Sequence, residues 1–147
     1  MRPAAGFLAA AALVAGCGIL PAAVPDWVAN RQPLESCGEE VLEQAQPFAR
    51  AARECLFQAF LDGRAAELIS TQPTIEGDPI TRYIRVHENG VVEIFVDATR
   101  DRFGSGAWER IRCETLNPVA MANDPQNPTF ADDMVFVENG CEVLPVP

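Results

Sequence analysis

The sequence predicts an α+β domain in which an N-terminal helical segment packs on a mainly antiparallel sheet of four or five strands, held by two disulfides. Three observations predict it. Apolar residues recur at helical spacing before residue 63, strand patterns around one Asn-Gly turn signal fill residues 65–138, and four cysteines follow the leader. Helical segments followed by antiparallel strands are typical of an α+β layer. A chain of 147 residues is long enough for one domain with its own core.

Residues 1–16 have the pattern of a bacterial lipoprotein signal peptide. Arg2 supplies the positive start, and the apolar run of residues 7–15 is too short to span a bilayer, which needs roughly 20 apolar residues. The sequence VAGC at residues 14–17 fits a lipobox, in which Cys17 carries acyl chains such as palmitate and becomes the first mature residue. An ordinary secretory signal with an incidental Cys17 is the alternative. We expect a lipid anchor on the extracytoplasmic face of the cell membrane.

Residues 17–35 are expected to form a lipid-anchored tether, because they contain three prolines and no clear periodicity. Trp27 and Val28 leave a question open, since both either remain in the tether or dock on the domain. The single α+β domain is then expected to span residues 36–147.

Two helices are predicted at the start of the domain. Residues 36–39, SCGE, have the S-x-x-E form of a capping box and predict a short helix through about residue 44. Pro47 suits the first turn of a second helix, which Gly63 ends. Its apolar residues recur at spacings of three and four and predict a face that packs on the core: Phe48, Ala52, Cys55, Leu56, Ala59 and Phe60.

Strands are predicted for the rest of the domain, with a hairpin at its centre. Residues 80–87 and 91–97 are rich in β-branched and aromatic residues, and Asn89-Gly90 between them indicates a tight turn. Three further strands and one long loop are predicted around it: strands at residues 65–71, 107–116 and 134–138, and the loop at residues 117–130. Residues 108–113 also fit a helical turn.

The register of this hairpin depends on the length of its loop. A two-residue loop places Arg82 opposite Asp97, whereas a four-residue loop pairs Val86 with Val91. In both registers the even-numbered residues of the strand at residues 80–87 share one face of the hairpin with the odd-numbered residues of the strand at residues 91–97. Neither side is then purely apolar, so the pattern does not choose the core face.

Polar motifs flank both ends of the hairpin. EGDPI at residues 76–80 precedes it, and TRDRFG at residues 99–104 follows it. In an antiparallel hairpin the start of the first strand lies beside the end of the second, so the two motifs should be neighbours. They supply the candidate binding residues: Glu76, Asp78, Arg82, Asp97, Arg100, Asp101 and Arg102.

The acidic side chains of these motifs have three interpretations. The favoured one is a structural network, in which the acids cap turns and the arginines neutralise them. The alternatives are a site for a hard cation, which binds carboxylate oxygens, and a pair of carboxylates for acid–base chemistry. We assign no catalytic residue, no metal site and no cofactor.

The EGDPI entry, the hairpin, the TRDRFG exit and the cysteine pair that follows resemble an uncharacterised family of bacterial extracytoplasmic lipoprotein domains. The resemblance covers roughly residues 37–141. It implies a small secreted or lipid-anchored domain with no assigned activity, and it implies no catalytic residue. It also implies that the last two cysteines, Cys113 and Cys141, form a pair.

Acylation of Cys17 would leave four cysteines in an oxidising compartment, which predicts two disulfides. Four cysteines allow three pairings. We favour Cys37–Cys55 and Cys113–Cys141, because each joins sequential segments and the second agrees with the resemblance. The first pairing requires a break between its cysteines, since about 18 residues of straight helix span about 27 Å.

Composition narrows the class of function. The formal net charge is −10 and lysine is absent, so nucleic acid is not an expected partner. His87 is the only histidine, and the chain has no nucleophile-elbow, zinc-protease or phosphate-loop motif.

These observations predict a bacterial cell-envelope lipoprotein that acts as a non-catalytic binding or interaction module. Its expected partners are the membrane, through the lipid on Cys17, and an unidentified protein or small ligand. A small secreted hydrolase that uses the acidic loop residues is one alternative. An inhibitor or immunity-type protein that meets a basic partner is another.

Overall fold

A computed structural model describes residues 23–44, 46, 48–120 and 134–147. The predicted signal peptide, Cys17 and the first part of the tether lie outside the described residues. So do Pro47 and most of the predicted loop at residues 117–130.

The described chain contains two helices and eight strands. The helices are α1, Asp26–Ala29, and α2, Arg50–Leu61. The strands are β1 Glu35–Val41, β2 Ala66–Pro73, β3 Pro79–Val86, β4 Val92–Asp97, β5 Trp108–Cys113, β6 Thr115–Ala120, β7 Met134–Asn139 and β8 Glu142–Leu144.

Six of these strands form one mainly antiparallel sheet in the order β1-β2-β3-β4-β5-β8. Only the β1–β2 pair within it is parallel. Strands β6 and β7 pair separately as a second, two-stranded sheet. The domain is therefore richer in strands than the predicted four- or five-stranded layer, because each edge of the large sheet gains a strand that the sequence pattern did not indicate.

The helix predicted from residue 36 to about residue 44 is wrong, since most of this segment is the edge strand β1. Gly38 has φ +104°, a left-handed conformation that interrupts a helix, and a bulge separates Ser36 from Glu39 in the pairing with β2. A capping box requires the Ser36 hydroxyl to accept from the N–H of Glu39. Instead it accepts from the N–H of Gly38 at 3.1 Å.

Both predicted hairpin registers are also wrong, because the loop has three residues. The His87 N–H donates to the Val91 carbonyl at 3.0 Å, and the Gly90 N–H donates back to the His87 carbonyl at 2.9 Å. Gly90 takes φ +78°, as expected where a type I turn is followed by a left-handed residue. Arg82 consequently pairs with Val96 rather than with Asp97.

This shift of one residue decides which face of the sheet is the core. It moves every β4 side chain to the opposite face. Ile84 now pairs with Ile94 and Val86 with Val92, so one face of the hairpin is apolar where both predicted registers gave mixed faces. Packing explains the choice, because only this register buries the aliphatic residues of both strands together.

Helix α2 packs on this apolar face, as the predicted helical stripe requires, and Leu116 of β6 joins the same core. Buried apolar residues of the cluster come from α2 and from six strands: Cys37, Leu56, Ala59, Ala66, Leu68, Ile84, Val86, Val92, Ile94, Val96, Cys113 and Leu116. A buried ion pair lies at its edge, where the Arg53 Nε donates to Glu40 at 3.0 Å. The core thus fixes the sheet from one side and leaves the other face for the N-terminal segment.

The predicted disulfide pairing is confirmed. Cys37–Cys55 joins β1 to α2, and Cys113–Cys141 joins the end of β5 to the residue before β8. Two structural disulfides indicate an oxidising environment outside the cytoplasm. No helix within the described ranges is long and apolar enough to cross a membrane.

Candidate functional site

The two polar motifs meet at one end of the sheet, as the sequence predicted. Residues 74–78 connect β2 to β3 and residues 98–107 connect β4 to β5; we call these two segments the paired loops. One ion pair joins them. The Arg102 Nε donates to both carboxylate oxygens of Asp78 at 3.0 and 3.1 Å, and the Arg102 backbone N–H donates to the same carboxylate at 3.1 Å.

Asp78 is buried in this contact, whereas the Arg102 side chain is largely exposed. The hydrogen bonds from Arg102 hold the pKa of Asp78 below its ordinary value. The guanidinium makes the larger contribution and the backbone N–H the smaller one. The same contact raises the pKa of Arg102, with a smaller contribution from the charge of Glu76. Asp78 is therefore an ionised structural group.

Two further acids of the candidate site, Asp97 and Asp101, cap turns. Asp97 accepts from the N–H and the hydroxyl of Thr99 at 3.0 and 2.6 Å. Asp101 accepts from the N–H groups of Phe103 and Gly104, each at 3.0 Å. Both arrangements are local turns of the kind that Asp side chains favour.

Three predicted residues, Glu76, Arg82 and Arg100, are exposed at the same end of the molecule. Across the described part of the chain, no group of three or more histidine, cysteine or acidic side chains is arranged to hold a metal ion. The ion pair of Asp78 with Arg102 and the turns at Asp97 and Asp101 agree with the structural-network interpretation.

Two apolar side chains project from the paired loops, and the sequence analysis did not single them out. Ile75 is 91% exposed and Phe103 is 72% exposed. Two backbone hydrogen bonds constrain the loop of Ile75. The Thr74 N–H donates to the Asp78 carbonyl at 2.8 Å, and the Gly77 N–H donates to the Thr74 carbonyl at 3.0 Å. The Arg102 guanidinium lies 5.7 Å from the Phe103 ring. Clusters of exposed large apolar side chains are typical of contact surfaces, so these two side chains make the paired loops a candidate.

The opposite face of the sheet carries a row of alternating charges. Five directly paired positions on β2, β3, β4, β5 and β8 have alternating sign: Glu67, Arg85, Glu93, Arg112 and Glu142. Opposite charges at paired positions stabilise a sheet. The sequence contains this signal, but it becomes visible only once the correct register aligns the strands.

Arg85 is the centre of this row. Its side chain is 4% exposed, its Nε lies 3.0 Å from Glu67, and its Nη1 donates to Glu93 at 3.3 Å. Arg31 forms a two-pronged ion pair with Glu67 at 2.8 Å, and Arg110 donates to Glu93 at 2.7 and 2.9 Å. Each buried charge of the network is therefore compensated by at least one opposite charge.

Aromatic side chains beside this row hold the N-terminal segment on the sheet. Trp27 packs edge-on against Phe95 with ring centroids 5.1 Å apart, and Val28 is fully buried. The Arg31 guanidinium lies 4.7 Å from the centre of the Tyr83 ring. Residues 25–32 consequently dock on the domain, which answers the question that the sequence left open for Trp27 and Val28.

A polar groove of about 670 Å³ lies where the docked segment ends. Gln32, His87, Glu93, Arg110 and Arg112 are among the residues that line it. His87 Nε2 is 3.4 Å from Glu93, and Arg112 pairs with Glu142. Because the groove cations already have carboxylate partners, an anionic ligand would have to displace them, so the paired loops are the better candidate site.

No family model matches the chain, and neither a curated protein nor a solved structure matches it. The resemblance to lipoprotein domains thus remains an expectation. The candidate site is defined by the geometry of the paired loops.

Proposed function

We propose that the protein is a lipid-anchored interaction module of the bacterial cell envelope, and that the paired loops are its recognition surface. The observation that carries the proposal is the ion pair between Asp78 and Arg102. It fixes two loops together, and each loop presents one exposed apolar side chain, Ile75 on one and Phe103 on the other. Preorganised loops bind with a smaller loss of conformational entropy than mobile ones.

The state of the carboxylates supports binding rather than acid–base catalysis at this end. A general acid or base works best with a pKa near the operating pH, which requires a raised pKa for a carboxyl group. Arg102 shifts the pKa of Asp78 in the other direction. Asp97 and Asp101 are engaged by backbone N–H groups of their own turns.

The covalent structure supports a location outside the cytoplasm. The two disulfides support an extracytoplasmic, oxidising environment. Acylation of Cys17, in the VAGC motif, would then hold the domain at the outer surface of the membrane. We expect Cys17→Ser to release the protein or leave it as an uncleaved precursor, and cell fractionation measures this. Unchanged extraction by detergent alone would contradict the anchor.

Site-specific photo-crosslinking in living cells tests the recognition surface. A benzophenone-bearing phenylalanine replaces Phe103 in one variant and Val143 in a matched control, because both side chains are 72% exposed. We expect position 103 to give defined adducts, identified as protein or lipid, and position 143 to give few. Equal adducts from both positions would contradict the proposal.

A further inference from the structure

The docked N-terminal segment has a definite direction on the sheet. Trp27 contacts Trp108, which pairs with Asp97 in the last register position before the loop of residues 98–107. Further along the chain, the carbonyl of Gln32 accepts from Arg85, which is one residue from the far end of β3. Residues 27–32 therefore run from the end that carries the paired loops towards the end that carries the hairpin turn.

The next strand confirms this direction. Strand β1 starts with Glu35 opposite Ala66, and Ala66 pairs with Val86 beside the hairpin turn. The chain thus reverses there and runs back. It follows that the described part of the N-terminal segment begins at the end of the sheet that carries the paired loops.

The number of residues between Cys17 and Val24 limits the distance between a lipid on Cys17 and the end of the sheet that carries the paired loops. Val24 is seven positions after Cys17. Seven fully extended residues span at most about 25 Å. Strand β3, with eight residues, is itself about 26 Å long. An anchor at Cys17 therefore lies within about 25 Å of the end that carries the paired loops, which favours this end over the hairpin turn as the one that faces the bilayer.

We propose that the partner of the paired loops is the outer surface of the bilayer that holds the Cys17 lipid, with Ile75 and Phe103 entering its interfacial layer. This inference rests on the proposed anchoring of Cys17. Phe103 with Arg102 beside it suits that layer, because the ring enters the acyl boundary while the guanidinium group remains among the headgroups.

The charge distribution agrees with this orientation. The chain has a formal net charge of −10, which opposes contact with anionic lipids. The paired loops themselves have two arginines against three acids, a balance of −1: Arg100 and Arg102 against Glu76, Asp78 and Asp101. Most of the negative charge consequently lies outside the two loops that are proposed to touch the bilayer.

Depth-dependent quenching tests the inference. The lipidated full chain is reconstituted into vesicles of phosphatidylethanolamine with a minor fraction of phosphatidylglycerol, with or without bromine on the acyl chains. One variant carries Phe103→Trp, and a control carries Glu88→Trp in the exposed hairpin turn. A tryptophan in the interfacial layer lies within range of the brominated acyl chains. We therefore expect bromine to quench the emission added by Phe103→Trp at least about twofold more than the emission added by Glu88→Trp.

The outcomes separate this inference from the proposed function. Vesicle flotation first reports the anchor, and a chain that fails to float contradicts both proposals. A chain that floats while Phe103→Trp is quenched no more than Glu88→Trp overturns the membrane contact and leaves the anchor standing. Crosslinks from position 103 to a protein, combined with that absence of quenching, would make the paired loops a protein-binding surface instead.

Discussion

Trp27 packs against Trp108 with ring centroids 6.1 Å apart, and these are the two tryptophans of the chain. One belongs to the docked N-terminal segment and the other to β5. Intrinsic tryptophan fluorescence therefore reports directly on whether residues 25–32 lie on the sheet.

We predict that Val28→Asp releases this segment. Val28 is fully buried, and a carboxylate there would lose its hydration without gaining a partner. Both tryptophans then become more hydrated, and the emission maximum should move to longer wavelength while both disulfides remain. Val24→Asp is the matched control, because Val24 is exposed on the same segment. An unchanged emission maximum in Val28→Asp would show that docking does not depend on Val28.

The ionisation of Tyr83 provides a second test of docking. Tyr83 is the only tyrosine, so tyrosinate absorbance reports this group alone. Burial raises its pKa, which places the midpoint above the ordinary value of about 10. Because the folded pKa is raised, the associated stability is present below about pH 10 and is lost as the pH rises through the folded pKa. Val28→Asp should lower the midpoint of the Tyr83 titration. A midpoint at the ordinary value in the native protein would contradict the burial of the Tyr83 ring under the docked segment.

We predict that Asp78→Asn changes the response to acid. Arg102 lowers the pKa of Asp78 in the folded protein, so its stabilising contribution is present above about pH 4 and is lost as the pH falls through the folded pKa. The variant should be less stable at neutral pH and should lose less stability on acidification. Urea unfolding from neutral to acidic pH measures both effects. Glu76→Gln, an exposed acid of the same loop, should leave the profile nearly unchanged.

The sequence predicted features that local chemistry determines. Helix α2 followed from apolar spacing, both disulfides from the order of the cysteines, and the meeting of EGDPI with TRDRFG from hairpin geometry. The contacts between the candidate site residues could not be predicted in the same way. Nothing in the sequence indicated which of the seven candidates would pair, and the structure shows that Asp78 and Arg102 join the two loops.

What the sequence did not predict depended on partners distant in the chain. Strand β1 forms because β2 offers an edge, and the Ser36-to-Glu39 capping pattern is overridden. The hairpin register depends on the three-residue loop that ends at Gly90 in the left-handed conformation. This register places Ile94 and Val96, rather than Phe95, on the same face as Ile84. The charged row, and the docking of Trp27 beside it, both depend on this register.

The last prediction compares Arg85 with Arg82, two arginines of the same strand on opposite faces. Arg85 is 4% exposed and lies between Glu67 and Glu93, whereas Arg82 is exposed and pairs with Val96. Removing one partner of a buried ion pair costs about 3–5 kcal/mol. Arg85→Ala should therefore lower the free energy of unfolding by about 3 kcal/mol, near the lower limit, since Arg31 and Arg110 still compensate the two acids. Arg82→Ala should cost less than about 1 kcal/mol.

A double-mutant cycle of Arg85→Ala with Glu93→Gln separates the direct contact from general loss of packing. Residues that share a buried network couple by about 0.5–3 kcal/mol, so a coupling within that range is expected in urea unfolding with the disulfides oxidised. The same cycle for Arg82→Ala and Asp97→Asn should give none, because the three-residue loop places these side chains on opposite faces. Coupling between Arg82 and Asp97 without coupling between Arg85 and Glu93 would return the hairpin to a two-residue loop, and the charged row would no longer align across the strands.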